Sequence, residues 1–410
     1  MFEFAGARAS VLEGAARSPA FKRVLLGERG AELSFTRVGF TQSFFSDRPI
    51  ELVSDGELKA TAFRYETGVA GLRVQNSRSS MVVLPYMGMQ VWSVSFDGRD
   101  VTQKSMFDMP LATTKFGDNY GAFLYHCGLN NVNGPEEGED PYLMHDVLPF
   151  AVYENTYTGV GVDEEGRYLA VGGTYVFRNS QELHWAYAPE LRLYEGKTMV
   201  EMRATVHNRR THPLEYLWLC HMNWLGMDGG RFYYSAPQDP DHVLVAPTEL
   251  GNDSPRAVAI REWGRKLASD PTLADVLDSS SQVYDPEMCI NYRYETDEDG
   301  WAHSLMELPG GGLLLRGVGR HEGPVCPEVA VQDRRRGRRR DCGAQHGDQQ
   351  GFGLSAGARA LQHAWAGRKR RSQVAFWASG RTRDKRRQGV HRRDPWQVVP
   401  LGFTRLDGDR

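Results

Sequence analysis

The chain has 410 residues, with 49 Lys and Arg against 52 Asp and Glu and a formal net charge of −3 at pH 7. No apolar run approaches the ~20 residues that a membrane helix needs, and the first 30 residues lack the apolar core of a secretory signal, so we expect a cytoplasmic protein. The five cysteines (Cys127, Cys220, Cys289, Cys326 and Cys342) form no C-x-x-C pair, which favours reduced thiols over a disulfide framework or a zinc ribbon.

Short strands separated by turns dominate the first part of the chain. Residues 68–76 and 81–101 are rich in Val, aromatic residues and Gly, and Asp97-Gly98 is placed as a hairpin turn. Residues 115–150 are dense in Gly, Asn, Asp and Pro, which predicts a long ordered loop. Such loops inside compact domains usually carry function.

The clearest predicted hairpin spans residues 191–208, after a similar strand at 168–178. Its return strand alternates apolar and polar side chains at the period of two that a half-buried strand requires. The inward positions are Val200, Met202, Ala204 and Val206. We therefore expect one face of this hairpin to enter the core.

Residues 215–224 (EYLWLCHMNW) are largely apolar on both faces, which predicts a strand buried between two layers. Residues 254–277 combine helix formers with spaced apolar positions and predict a short helical insertion. Many short strands with few helices predict an all-β fold, a large β-sandwich over roughly residues 35–330.

Three histidines lie in contexts that suggest chemistry. His126 ends an apolar strand, His145 lies in the loop PYLMHDVLPF, and His221 lies deep in apolar sequence. A buried imidazole costs free energy unless it is hydrogen-bonded or used, so each is either a satisfied structural residue or a site residue. We expect all three to converge on one groove. The remaining strand and turn histidines are expected on the surface: His184, His207, His212 and His303.

At three blocks the sequence resembles the aldose-1-epimerase-like proteins of the galactose mutarotase superfamily. The blocks are LPYMGMQVWSVSFDGRDVTQKSMFD, YGAFLYHCGLNNVNGPEEGEDPYLMHDVLPF and YLWLCHMNW, with DGWAH further on. The resemblance covers residues 63–332 and implies a β-supersandwich with a sugar site in the groove of its larger sheet.

The resemblance implies roles for two histidines. His145 takes the place of the family's loop histidine, with Asp146 where Gly is usual. His221 takes the place of the strand histidine that donates a proton to the sugar ring oxygen, with Asn223 one residue early. The family's general base is a C-terminal glutamate, and its segment would fall after residue 332. The nearest remaining glutamate is Glu328, which we leave unassigned.

Anomer interconversion suits these residues. Ring opening removes one proton from O1 and delivers one to the ring oxygen, and it requires no metal or redox cofactor. Matched general acid–base transfer contributes about 10²–10⁴-fold. Sugar sites combine aromatic platforms with amide and charged hydrogen bonders. The substrate-binding candidates are His126, Gln90, Lys104, Asn223, Trp92 and Trp224, the two tryptophans being equally explained by core packing.

Two other function classes stay open. A metal-dependent sugar isomerase would bind zinc or manganese through His126, His145, His221 and a carboxylate such as Glu136. A non-catalytic sugar-binding protein would keep the groove and lack the base. In each case the partner is a small-molecule sugar, with neither nucleic acid nor membrane involved, and the oligomeric state is left open.

The C-terminal residues differ in composition from the rest. Residues 333–393 hold 18 Lys and Arg against 4 Asp, a local net charge of +14, which leaves −17 for the remainder. An acidic remainder argues against a nucleic-acid partner for the folded part. From Val329 to Arg410 there is no Glu, Asn, Ile, Tyr or Met.

Three explanations fit this basic segment. A nucleic-acid-binding arm would contain blocks such as residues 334–340. A disordered tail would be charged, but it would not carry Trp365 and Trp377. A frame-shifted gene end would yield Arg, Gly, Ala and Gln without strand periodicity, and we favour this explanation. The predicted organisation is therefore an N-terminal extension (1–34), a mutarotase-like domain (35–332) and a basic, non-native or disordered tail (333–410) without packed strands.

Overall fold

The structure is a computed structural model. It describes residues 34–132, 144–180, 183–211, 214–245, 251–284, 288–298 and 302–309 with their side chains, those at 215 and 289 excepted. Beyond these it describes the backbone of five strands: Leu313–His321, Cys326–Gln332, Gly353–Arg359, Gln362–Ala364 and Lys369–Gly380.

Strands make up most of the described residues, and their pairings are antiparallel. The strands are β1 Ser34–Gly39, β2 Ile50–Asp55, β3 Leu58–Arg64, β4 Ala70–Gln75, β5 Ser79–Leu84, β6 Gln90–Phe96, β7 Arg99–Asp100, β8 Leu124–Leu129, β9 Glu154–Asp163, β10 Gly166–Arg178, β11 His184–Tyr194, β12 Met199–Asn208, β13 Leu214–Met222, β14 Arg231–Tyr234, β15 Val243–Val245, β16 Met288–Tyr292, β17 Ala302–Glu307, β18 Leu313–His321, β19 Cys326–Gln332, β20 Gly353–Arg359, β21 Gln362–Ala364 and β22 Lys369–Gly380. The helices are α1 Pro255–Ser269 and the short 3₁₀ turns Gln42–Phe44, Phe116–Asn119, Leu148–Phe150 and Pro271–Ala274.

The strands form three sheets. The first has the order β1-β9-β10-β11-β12-β22-β18-β17-β14. The second has the order β2-β3-β4-β5-β6-β8-β13-β21, with β7 paired to β6. A smaller sheet has the order β15-β16-β19-β20. This architecture confirms the predicted all-β sandwich with a short helical insertion.

The main core lies between the first two sheets. The second sheet contributes Leu72, Val74 and Val91, and the first contributes Leu191 and Val200, all fully buried. The predicted inward residues of β12 all belong to this core, so the alternation in that hairpin is confirmed.

The opposite face of the second sheet is also covered. A separate apolar cluster, which we call the outer cluster, packs there: Val69, Val82, Leu84, Trp92, Phe116, Tyr120, Ala122, Tyr125, Cys127, Val132 and Leu219. It includes residues of the segment before β8. The prediction that β13 is buried on both faces is confirmed, because Trp218 joins the main core and Leu219 joins the outer cluster.

The predicted turn and helix are both present. Asp97 and Gly98 have φ of 48° and 74° between β6 and β7, in the left-handed region that two-residue hairpin turns require. Helix α1 begins after Ser254, whose Oγ accepts the backbone N–H of Ala257. It ends at Ser269, earlier than predicted, because Pro271 disfavours helical backbone at the residue before it. Among the described residues no helix is long and apolar enough to cross a membrane.

The C-terminal segment differs from its prediction. The segment after residue 332 was expected to contribute no well-packed strands. The backbone of β20, β21 and β22 lies there, and β22 pairs with both β12 and β18 in the first sheet. This backbone pairing was not expected, whereas the predicted lack of packing concerns side chains that lie outside the described residues and stays a prediction. Main-chain pairing depends little on side-chain type, and the strand edges of β12 and β18 need partners for their N–H and C=O groups. The basic run 334–340 lies outside the described residues, and the domain boundaries stay a prediction.

Candidate functional site

The pairing of β8 with β13 determines which side chains share a face. In the antiparallel register Cys220 lies opposite His126, and His221 lies opposite Tyr125. Directly opposed residues point to the same side of a sheet, and neighbours along a strand point to opposite sides. Cys220 belongs to the main core and Tyr125 to the outer cluster. His126 therefore faces the main core, whereas His221 faces the outer cluster.

His221 is held in a network of polar groups although it is only 4% exposed. Its Nε2 lies 3.1 Å from the hydroxyl of Tyr120. The same hydroxyl lies 3.0 Å from Oδ1 of Asn223, whose Nδ2 donates to the carbonyl of Ala122 at 2.9 Å. The strand therefore presents an imidazole and an amide, two residues apart, to one tyrosine.

His145 lies beside His221. Their ring centroids are 5.4 Å apart, at an interplanar angle of 59°. The ring of Phe116 contacts both, with centroid distances of 4.9 Å to His145 and 6.2 Å to His221. The backbone carbonyl of His145 accepts the N–H of Gly128 on β8, at 2.9 Å. The loop is thus tied to the strand that neighbours β13, and this brings the two imidazoles together.

The backbone is strained at His145 and Asp146. Their φ angles are 61° and 65°, in the left-handed region that residues with a Cβ adopt at a cost. Asp146 compensates through its carboxylate, which accepts the N–H of Asn130 at 2.7 Å. Burial raises the pKa of Asp146, and backbone N–H groups partly oppose this rise. Two successive strained residues at one loop are typical of a functional segment.

His126 does not join this site. It is fully buried, and its Nδ1 lies 2.8 Å from the hydroxyl of Tyr187, a residue of the first sheet. The same hydroxyl accepts the Nε1–H of Trp218 at 2.9 Å. Burial lowers the pKa of His126 to about 3, so it is neutral and structural at ordinary pH. The prediction that three histidines line one groove is wrong for His126. The proposed metal set of three histidines is not assembled either, and Glu136 lies outside the described residues.

The other predicted binding residues differ in accessibility. Gln90 is fully buried and donates from Nε2 to the carbonyl of Pro149 at 2.7 Å, so it supports the turn after His145. Trp92 belongs to the outer cluster and is 6% exposed. Trp224 packs in the main core against Phe123. Lys104 is exposed. It follows Gln103, whose backbone N–H donates to the carbonyl of Asn223, so Lys104 lies near Asn223 along the backbone.

An open cleft lies on the same side of the second sheet. It has a volume of about 530 Å³ and is lined by Tyr86, Met87, Thr113, Lys115 and Phe150, among others. Phe116 follows Lys115, and its ring lies 6.3 Å from that of Phe150 and 4.9 Å from that of His145. Phe116 therefore lies between the cleft and the histidine pair, and neither imidazole lines the cleft itself. The cleft's mixture of apolar surface, hydroxyl groups and one cation suits a polar ring compound.

Sequence reasoning missed Tyr120 and Phe116, which contact the imidazoles, and misjudged His303. Tyr120 and Phe116 lie in a loop segment whose apolar residues follow no regular period. The sequence therefore does not indicate where this segment lies relative to the sheet. His303 was expected on the surface, but it is buried and bonds Asp297 at 2.9 Å. No group of three or more His, Cys, Asp or Glu able to hold a metal ion is found in the described ranges.

Comparison with solved structures identifies the fold. A candidate aldose 1-epimerase from Klebsiella pneumoniae is 12% identical, with a TM-score of 0.62 over 84% of this chain and 91% of that chain. A galactose mutarotase-like protein from Clostridium acetobutylicum is 8% identical, with a TM-score of 0.51 over 80% of this chain and 100% of that chain. No protein-family model and no curated protein matches the sequence. At such low sequence identity, structural similarity establishes the fold but not the activity. The chain has the β-sandwich fold of galactose mutarotase-like proteins.

Proposed function

We propose that this protein binds a small sugar and interconverts its anomers, with His221 as the proton donor to the ring oxygen. The observation that carries the proposal is the His145–His221 pair, with ring centroids 5.4 Å apart beside an open cleft. The β-sandwich fold shared with a candidate aldose 1-epimerase supports it. In the same proposal the protein is cytoplasmic and acts in carbohydrate metabolism.

The chemistry needs groups of the kind present. An imidazole transfers protons near neutral pH, because the unperturbed pKa of histidine is about 6.5. His145 would bind a sugar hydroxyl beside the reacting carbon, and Lys104 and Asn223 are further candidates for binding the sugar. The base that takes the O1 proton is left unassigned: Glu328 lies on β19, and its side chain is outside the described residues.

Exchange between α and β anomers measured by NMR saturation transfer tests the proposal. A panel of aldoses is incubated with the protein, with and without EDTA. We expect faster exchange than in buffer for at least one sugar, and no change on chelation. Loss of exchange with EDTA would support the metal-dependent isomerase instead. A sugar that raises the melting temperature without any accelerated exchange would support a non-catalytic binding protein.

A further inference from the structure

The orientation of the Asn223 amide is determined by its neighbours. A backbone carbonyl can only accept hydrogen bonds, so the Asn223 atom 2.9 Å from the carbonyl of Ala122 must be the amide nitrogen. The amide oxygen, Oδ1, then faces the hydroxyl of Tyr120 at 3.0 Å. The usual ambiguity between nitrogen and oxygen in a side-chain amide is therefore removed by hydrogen bonding.

This orientation determines where the Tyr120 hydrogen points. Oδ1 of Asn223 can only accept, so Tyr120 donates its single hydroxyl hydrogen to it. The Tyr120 oxygen must then act as acceptor toward Nε2 of His221, 3.1 Å away. His221 consequently carries a proton on Nε2, and this holds for both its neutral and its charged form.

Tyr120 is itself held firmly. Its backbone carbonyl accepts Nε2–H of Gln103 at 3.3 Å, and it closes the 3₁₀ turn Phe116–Asn119. The carbonyl of Asn119 accepts the hydroxyl of Tyr125 at 2.7 Å, and that hydroxyl accepts the N–H of Ala122 at 3.0 Å. The segment is clasped to β8 on both sides of Tyr120, so the hydroxyl is positioned before any ligand arrives.

We propose that Tyr120 is a positioning residue that keeps Nε2 of His221 protonated. Nδ1, which is buried in the sugar-free protein, then exchanges a proton with a sugar that displaces the side chains covering it. The inference rests on the proposed function for its chemistry. A hydrogen bond at one imidazole nitrogen selects the reactive tautomer at the other. In the step, Nδ1–H of the imidazolium protonates the ring oxygen as the C1–O bond breaks. The O1 proton passes to the base, and His221 becomes neutral with its remaining proton on Nε2. Closure of the ring reverses these transfers.

The tautomer is measured by ¹⁵N–¹H correlation spectra of protein labelled in histidine, at a pH where the imidazoles are neutral. The His221 signals are assigned by their loss in His221→Gln. We expect the pattern of a protonated Nε2 in the wild type and a mixture of both tautomers in Tyr120→Phe. The matched control is Tyr187→Phe, because the Tyr187 hydroxyl bonds Nδ1 of His126, the histidine on the opposite face of the sheet, and not His221. That variant should keep the protonated Nε2.

Activity separates this inference from the function on which it rests. For any sugar whose anomers the wild type interconverts, Tyr120→Phe should lower kcat about fivefold with little change in KM, since one hydrogen bond is worth about 1 kcal/mol. If Nε2 is protonated but the protein accelerates anomer exchange for no sugar, the proposed function is overturned and the positioning role is kept. The positioning role is overturned if the protein accelerates anomer exchange while neutral His221 carries its proton on Nδ1. It is also overturned if the tautomer of His221 is unchanged in Tyr120→Phe.

Discussion

Replacing Gly88 by Ala is expected to destabilise the protein by about 3 kcal/mol or more. Gly88 has φ of +64°, and an added Cβ would lie 1.9 Å from the carbonyl oxygen of Pro149. The left-handed backbone costs about 1–2 kcal/mol for a residue with a Cβ, and a clash with backbone atoms adds about 1–3 kcal/mol or more. The turn Leu148–Phe150 follows the strained His145 loop, so its displacement should also disturb the imidazole pair. Urea denaturation measures the loss.

A second glycine provides the matched control. Gly98 has φ of +74° in the β6–β7 turn, and no atom lies within 4 Å of the position its Cβ would take. Gly98→Ala should therefore lose only the conformational part, about 1–2 kcal/mol. Equal losses for the two variants would mean that the close approach of Gly88 to Pro149 is not a feature of the folded protein.

The second large effect is expected on catalysis. His221→Gln should slow anomer exchange by about 10²–10⁴-fold, the usual contribution of a general acid or base. Its melting temperature should change little, because glutamine can still donate a hydrogen bond toward Tyr120. A variant that retained the wild-type rate would exclude His221 as the proton donor.

His126→Leu is the control for that comparison, and its effect should fall on stability. The imidazole hydrogen bond to Tyr187 is buried, so its loss should cost about 1–3 kcal/mol while the exchange rate per folded molecule stays unchanged. The folded pKa of about 3 lies below the unfolded value of about 6.5, so the unfolded state binds more protons between these values. Wild-type stability should fall as pH drops through that window. The leucine variant should lose this contribution to the pH dependence.

The faces of strands were predictable where one side is polar and less so where both are apolar. In β12 the alternation of Val200 and Met202 with charged residues identifies the core side, and the structure agrees. In β8 all six residues are buried, so periodicity alone could not assign the side of His126. That side depends on the register with β13, which pairs His126 with Cys220.

The loop contacts around His221 were less accessible to sequence reasoning. Tyr120 and Phe116 reach the imidazole from a segment without regular period, and their positions depend on hydrogen bonds such as that from Tyr125 to Asn119. The C-terminal strands were missed for another reason: composition predicts side-chain burial, but backbone pairing can proceed without favourable composition. Residue types predicted the His145 and His221 candidates, and long-range pairing determines their geometry.

The most direct test of the sugar site is an NMR titration of the imidazole signals with an aldose. His145 and His221 face the outer cluster beside the cleft, whereas His126 faces the main core. We expect the signals of His145 and His221 to shift in a saturable manner while those of His126 stay in place. Shifts confined to His126, or no histidine shift with a sugar whose binding is established by calorimetry, would contradict a sugar site at the His145–His221 pair.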